Sequence, residues 1–170
     1  QKAITKFLAE ELVKKREVGN IILYMVNLGN SAVFSYFNIL IKSKMPNPVK
    51  NSLRIIQEEL SDTEFISLVI FGSYAEGKQK EKSDLDIAIF VNSAEDKKNC
   101  ELSAKSAELK SILQIDVHVI TKDEMLRMLK DKHENLGKQI AYKHLAVQNP
   151  MIFYSILAEG IGNGFQIVYS

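Results

Sequence analysis

Apolar residues recur along the chain at helical spacing in some stretches and as short unbroken runs in others. Ile4, Phe7, Leu8 and Leu12 are helically spaced, so Ala3 to Leu12 is predicted as an amphipathic helix. Leu12 to Arg16 and Ile21 to Val26 flank a Gly19-Asn20 turn and predict a β-hairpin. Asn30-Ser31 supplies a cap for a helix with Val33, Phe34, Phe37, Leu40 and Ile41 on a broad apolar stripe. Phe34, Tyr36 and Phe37 look exposed on that helix. Their spacing favours a packing or dimer face over a platform for stacking bases.

Met45-Pro46-Asn47-Pro48 then breaks the chain and divides it into residues 1–45 and 46–170. Val49 to Leu60 returns to helical spacing. Ser67 to Phe71 is short, apolar and rich in β-branched residues, as a buried strand is, and Ile87 to Val91 is a second such run. Ala94 to Leu113 is polar, lacks glycine and proline, and predicts a helix. Gln114 to Ile120 predicts a third buried strand. Thr121 to Glu124 reads as a capping box opening a helix through Met125, Leu126 and Leu129. Leu136 to Lys143 predicts another helix, His144 to Val147 a further strand, and Asn149-Pro150 the start of a last helix closed by Gly160, Gly162 and Gly164. Strands alternating with helices imply an α/β (α+β) fold with a small mixed sheet and flanking helices.

Composition narrows the class only modestly. With 46% hydrophobic and 25% charged residues among 170, the chain has enough apolar material for a real core. No apolar run is long enough to span a membrane. Cys100 is the single cysteine, which excludes an internal disulfide, reads as a structural thiol and fits a reducing cytoplasm. A net charge of +1 argues neither for nor against nucleic acid. The chain opens at Gln1 inside a helical pattern and without Met, which suggests a piece of a longer protein.

The chemistry concentrates between Ser67 and Val91. Gly72-Ser73 breaks sharply from the first strand, in the manner of a strand-to-helix turn that leaves backbone N–H groups pointing outward. Those groups and the Ser73 hydroxyl make a seat for phosphate oxygens. Asp84 and Asp86 lie two apart at the start of the second strand, so both carboxylates share one face. Paired carboxylates repel unless a cation lies between them, which points to Mg²⁺ and a nucleotide. The KQKEK run is a solvated loop from which Lys78 or Lys80 can reach a triphosphate.

The series G-S-Y-A-E-G, five residues, then S-D-L-D closely resembles the signature of DNA polymerase β-like nucleotidyltransferases, and best their minimal nucleotidyltransferase branch. The resemblance implies a third carboxylate from a neighbouring strand, and Asp116, a buried-looking acid, occupies it. It further implies that Asp84, Asp86 and Asp116 are catalytic and hold two Mg²⁺ ions, Mn²⁺ being an alternative. Gly72, Ser73, Lys78 and Ser83 are then the nucleotide-binding residues. The reaction so implied moves NMP, most plausibly AMP from ATP, to a hydroxyl with release of pyrophosphate. Protein, RNA ends and small molecules all stay open as acceptors. Glu76 departs from the family, which often has a basic residue there. Either Lys78 replaces that charge or catalysis is weakened.

The stretch Ile4 to Asn27 resembles the recognition helix and wing of a winged helix-turn-helix, giving residues 1–45 a partial module and linker helix. Lys2, Lys6, Lys14, Lys15 and Arg16 could meet DNA phosphates, although Glu10, Glu11 and Glu17 dilute the patch. Packing or homodimerisation fits the same pattern equally well. Two alternatives to a free-standing enzyme follow: a DNA-binding regulator that senses nucleotide, and an antitoxin-like protein that modifies a helical partner. His118 shares a strand face with Asp116 and reads as a packed neighbour of the site, while His133 and His144 carry no functional signal.

Overall fold

The computed structural model describes residues 2–166. The chain divides into two compact units between Leu40 and Ile41, inside the helix that precedes the expected boundary at 45/46.

The first unit begins with helix α1 (Lys2–Ala9), shorter than predicted because the chain turns at Glu11, where φ is 54°. Strands β1 (Val13–Val18) and β2 (Ile21–Val26) pair antiparallel with Val18 opposite Ile21. Gly19, with φ of 59°, takes the first central position of the turn, where a side chain would be strained. Helix α2 (Ala32–Lys44) is capped by Asn30, whose Oδ1 accepts from Ala32 N at 3.0 Å. The Asn27 and Asn30 side-chain amides donate to the Glu11 and Glu10 carbonyls and so tie the end of α1 to the approach to α2. Phe34 is buried rather than exposed and packs edge-on against Phe37 with ring centroids 6.3 Å apart, because its turn of α2 faces inward.

The second unit contains helix α3 (Asn47–Glu59), strand β3 (Ser67–Phe71), the short helix α4 (Gly72–Glu76) and strand β4 (Leu85–Val91). Helix α5 (Ala94–Lys110), strand β5 (Ile115–Thr121), helices α6 (Lys122–Lys130) and α7 (Leu136–Tyr142), strand β6 (His144–Gln148) and helix α8 (Pro150–Gly162) follow. The sheet runs β5-β4-β3-β6, with β3 antiparallel to both neighbours and β4 parallel to β5 across the α5 connection. This is a mixed α/β architecture with helices on both faces.

Burial on two faces explains why β3 and β4 read as continuous apolar runs instead of alternating ones. Leu68, Ile70, Ile87 and Ile89 face one core, with Ile56 of α3, Leu60 just past its end and Cys100 of α5. Val69, Phe71, Ala88 and Phe90 face the other, with Met125, Ile140 and Phe153 from α6, α7 and α8. Each fully buried side chain of this size contributes about 1.5–3 kcal/mol relative to exposure. Capping boxes at Ser93 and Thr121 open α5 and α6, the second as the sequence anticipates. Asn149 makes no side-chain cap to α8. Its φ is 48°, and Pro150 at the first helical position has no N–H to satisfy.

His144 is structural. Its Nδ1 lies 3.1 Å from the Ile140 carbonyl and its Nε2 3.3 Å from the Tyr154 hydroxyl, while the ring packs edge-on to Phe153. Burial lowers its pKa, against the opposing effect of the backbone carbonyls of Ile140 and Ala141. The unfolded chain therefore takes up this proton first, and stability declines as pH falls below 6.5. Replacing His144 by Gln should flatten that part of the pH–stability curve. Chemical denaturation of both proteins at neutral and mildly acidic pH checks it.

Candidate functional site

Strand β3 ends at Phe71 and the chain turns at once into α4, with Gly72 at φ of 66°. Two independent constraints act on Gly72. An L side chain is strained at that φ, and a Cβ built there would lie 2.3 Å from Asp86 Oδ2 and 3.2 Å from Asp86 Cγ. The carboxylate of Asp86 is thus seated directly against the backbone of the turn. Gly77, also left-handed at φ of 67°, closes α4.

Asp86 lies on β4 directly opposite Asp116 on the parallel neighbour β5, so both side chains leave the same face of the sheet. Asp84 lies just before β4 and is near enough for its charge to act on Asp86. Burial, then the charges of Asp116 and Asp84, raise the Asp86 carboxyl above its ordinary value, with His118 opposing. Asp116 is not buried. Its side chain is 56% exposed, because β5 is the edge of the sheet and Asp116 stands near the strand's open start. His118 Nε2 lies 3.3 Å from Asp116 Oδ2, and its ring packs on Phe71 at 5.7 Å between centroids.

The other expected residues take differing positions. Ser73 is half-buried in α4, and its hydroxyl bonds to no other described residue. Its carbonyl accepts from Lys78 N at 2.9 Å, which folds the chain after α4 back on itself. Ser83 closes the following loop, with its Oγ accepting from Lys80 N at 2.8 Å and its N donating to the Lys80 carbonyl. Lys78 is exposed and pairs with Glu76 at 3.5 Å. Glu76 also pairs with Lys143, at the C-terminal end of α7. Two cations thus flank the one acid that departs from the resemblance. Lys143 carried no sequence signal, since it lies 67 positions from Glu76 and only the fold joins them.

A divalent cation fits this donor set. The oxygens are hard, and the crowding that raises the Asp86 carboxyl is relieved by positive charge. Among the described residues no three acidic, histidine or cysteine side chains form a cage for an ion by themselves. Mg²⁺ commonly takes only one or two carboxylates and completes its shell with water and substrate phosphate. Beyond His118 a groove of about 510 Å³ opens along β5, with Lys97, Glu101, Glu124 and Arg127 at its walls.

Residues 49–144 match the nucleotidyltransferase domain family, and the chain belongs to it. It is an enzyme of the nucleotidyltransferase class. A relative from Methanocaldococcus jannaschii, named "Putative protein adenylyltransferase MJ1215", is 38% identical over 86 residues, which is 49% of this chain and 96% of the relative. A second protein of that organism, named "Putative protein adenylyltransferase MJ0435", is 41% identical over 63 residues, 37% of this chain and 66% of its own length. A solved toxin–antitoxin crystal structure with AMP-PNP aligns over 65% of this chain and 84% of its own, at 20% identity and a TM-score of 0.42. The family match begins at residue 49 and leaves the winged helix-turn-helix resemblance of the preceding residues outside it.

The contact between Gly72 and Asp86 is open to a double-mutant cycle in metal-free buffer. Gly72→Ala should cost about 1–3 kcal/mol through backbone strain and the close approach to Asp86. Combined with Asp86→Ala it should cost less than the sum of the two single changes, because the colliding oxygen is gone. Strict additivity in urea denaturation would contradict the contact.

Proposed function

We propose that this enzyme transfers AMP from ATP to a hydroxyl group and releases pyrophosphate. The observation that carries the reading is the Asp86 carboxylate seated on the Gly72 turn with Asp116 opposite on β5. A turn that presents backbone and a free serine hydroxyl beside clustered carboxylates suits a triphosphate held through a divalent cation. Asp84, Asp86 and Asp116 would hold Mg²⁺, which would neutralise the charge developing on the phosphates.

In this reading Gly72 and Ser73 bind the β- and γ-phosphates and hold pyrophosphate in line to leave. The acceptor approaches past Asp116, whose exposed carboxylate takes the hydroxyl proton as that oxygen bonds to the α-phosphorus. The bond from the α-phosphorus to the bridging oxygen breaks, and its electron pair leaves with pyrophosphate. His118, 3.3 Å from Asp116, orients that carboxylate. Lys78 and Lys143 neutralise Glu76, so this acid need not repel a triphosphate. The names of the relatives favour AMP as the transferred group and a protein as its acceptor.

The test is incubation of the protein with Mg²⁺, a cell extract and ATP labelled at the α- or the γ-phosphate. Label from the α-position should appear in a macromolecular acceptor, and Asp84→Asn/Asp86→Asn should abolish it. Incorporation from the γ-position instead, or label unchanged in the double variant, would overturn the proposal. Protease and nuclease treatment of the product distinguishes protein from RNA acceptors.

Loss of the Ser73 hydroxyl removes one hydrogen bond to a charged oxygen, worth about 1.5–3 kcal/mol. Ser73→Ala should therefore weaken MgATP binding roughly ten- to a hundredfold while leaving the fold intact. Calorimetric titration measures this, and wild-type affinity would remove Ser73 from the phosphate site.

A further inference from the structure

The β1–β2 ribbon has an unusual division of character. Its first strand carries Lys14, Lys15, Arg16 and Glu17, whereas β2 reads Ile-Ile-Leu-Tyr-Met-Val without a single charge or polar break. Every side chain of β2 is exposed, from 44% at Leu23 and Met25 to 63% at Ile21. Val18 and Leu28 extend the same apolar surface at the two ends of the strand. A ribbon of two strands leaves each with a free edge, and uncovered edges are templates for pairing. The edge of β1 is protected by its lysines and arginine. That of β2 has no such protection, in charge, proline or bulge.

We propose that β2 is the dimerisation strand of this protein, pairing antiparallel with β2 of a second copy about a two-fold axis at Leu23 or Tyr24. The sequence of the strand suits this occupant. An uncharged strand can lie against its own copy without bringing like charges together, while the basic β1 strands become the outer edges of a four-stranded sheet. In such a pair the two-fold keeps each face of the strand with its own kind. Ile21, Leu23 and Met25 meet their equivalents on one side, and Ile22, Tyr24 and Val26 on the other.

Edge pairing closes the free backbone edge of β2 and brings its exposed side chains beside those of the second copy on both faces of the new sheet.

Sedimentation equilibrium on the full chain tests the proposal. The wild type should run at about 38 kDa, twice the 19.2 kDa of one chain, and Leu23→Lys/Tyr24→Lys should run at 19.2 kDa with an unchanged circular dichroism spectrum. Disulfide cross-linking gives an independent reading that does not depend on folding of the lysine variant. Cys100 is buried, so a cysteine introduced at Leu23 or Tyr24 is the only accessible thiol. At least one of Leu23→Cys and Tyr24→Cys should form a covalent dimer on mild oxidation, and Ile39→Cys, exposed on α2, should not. A wild type that stays at 19.2 kDa at high micromolar concentration overturns the proposal. So does a dimer retained by the folded lysine variant, or cross-linking at Ile39 but at neither strand position.

Discussion

Asp86 holds its carboxylate against the backbone of Gly72, where no other residue type leaves room for it, and the functional half of the molecule is arranged around that contact. The turn must be left-handed and free of a side chain for β3 to pass directly into α4. The acid must stand on the neighbouring strand at that level for the turn and the charge to meet. The β3–β4 register provides this, with Ile70 opposite Ile87, two positions from Gly72 and one from Asp86. Parallel pairing of β4 with β5 then brings Asp116 beside Asp86. A packed sheet is what makes such placement possible, because its two buried cores leave the strands no freedom to slip.

Electrostatics at this point of the fold are unfavourable by themselves. Burial and two neighbouring carboxylates raise the Asp86 carboxyl, and only His118 opposes them. Positive charge placed among these carboxylates would relieve that repulsion. Glu76 is handled differently, since Lys78 and Lys143 flank it within the protein. The acid that interrupts the expected basic position is thus compensated by a cation from the far end of α7.

Much of this was legible in the sequence because the signals are local. The apolar runs of β3 and β4, the Gly72-Ser73 break and the Asp84–Asp86 spacing all lie within 25 residues. The Thr121 capping box is likewise a four-residue pattern. What could not be read depends on contacts between distant segments. Asp116 looked buried because its strand is apolar, yet β5 proves to be an edge. Phe34 looked exposed because its helix is apolar over a wide arc, and only the packing decides which residues turn inward. The Lys143–Glu76 pair and the seat of Asp86 on Gly72 are tertiary facts with no local trace.

The cation proposed to lie among the acids beside the Gly72 turn, shared with a nucleotide, is open to direct observation. Electron paramagnetic resonance of Mn²⁺ with a non-hydrolysable ATP analogue addresses it directly, since phosphorus couplings report metal and phosphate in one complex. The wild type should give a protein-bound Mn²⁺–nucleotide signal that disappears in Asp84→Asn/Asp86→Asn. The signal should survive in Lys50→Ala, an exposed position on α3 outside the site. A bound Mn²⁺–nucleotide signal that persists unchanged without Asp84 and Asp86 would show that these acids do not hold the cation.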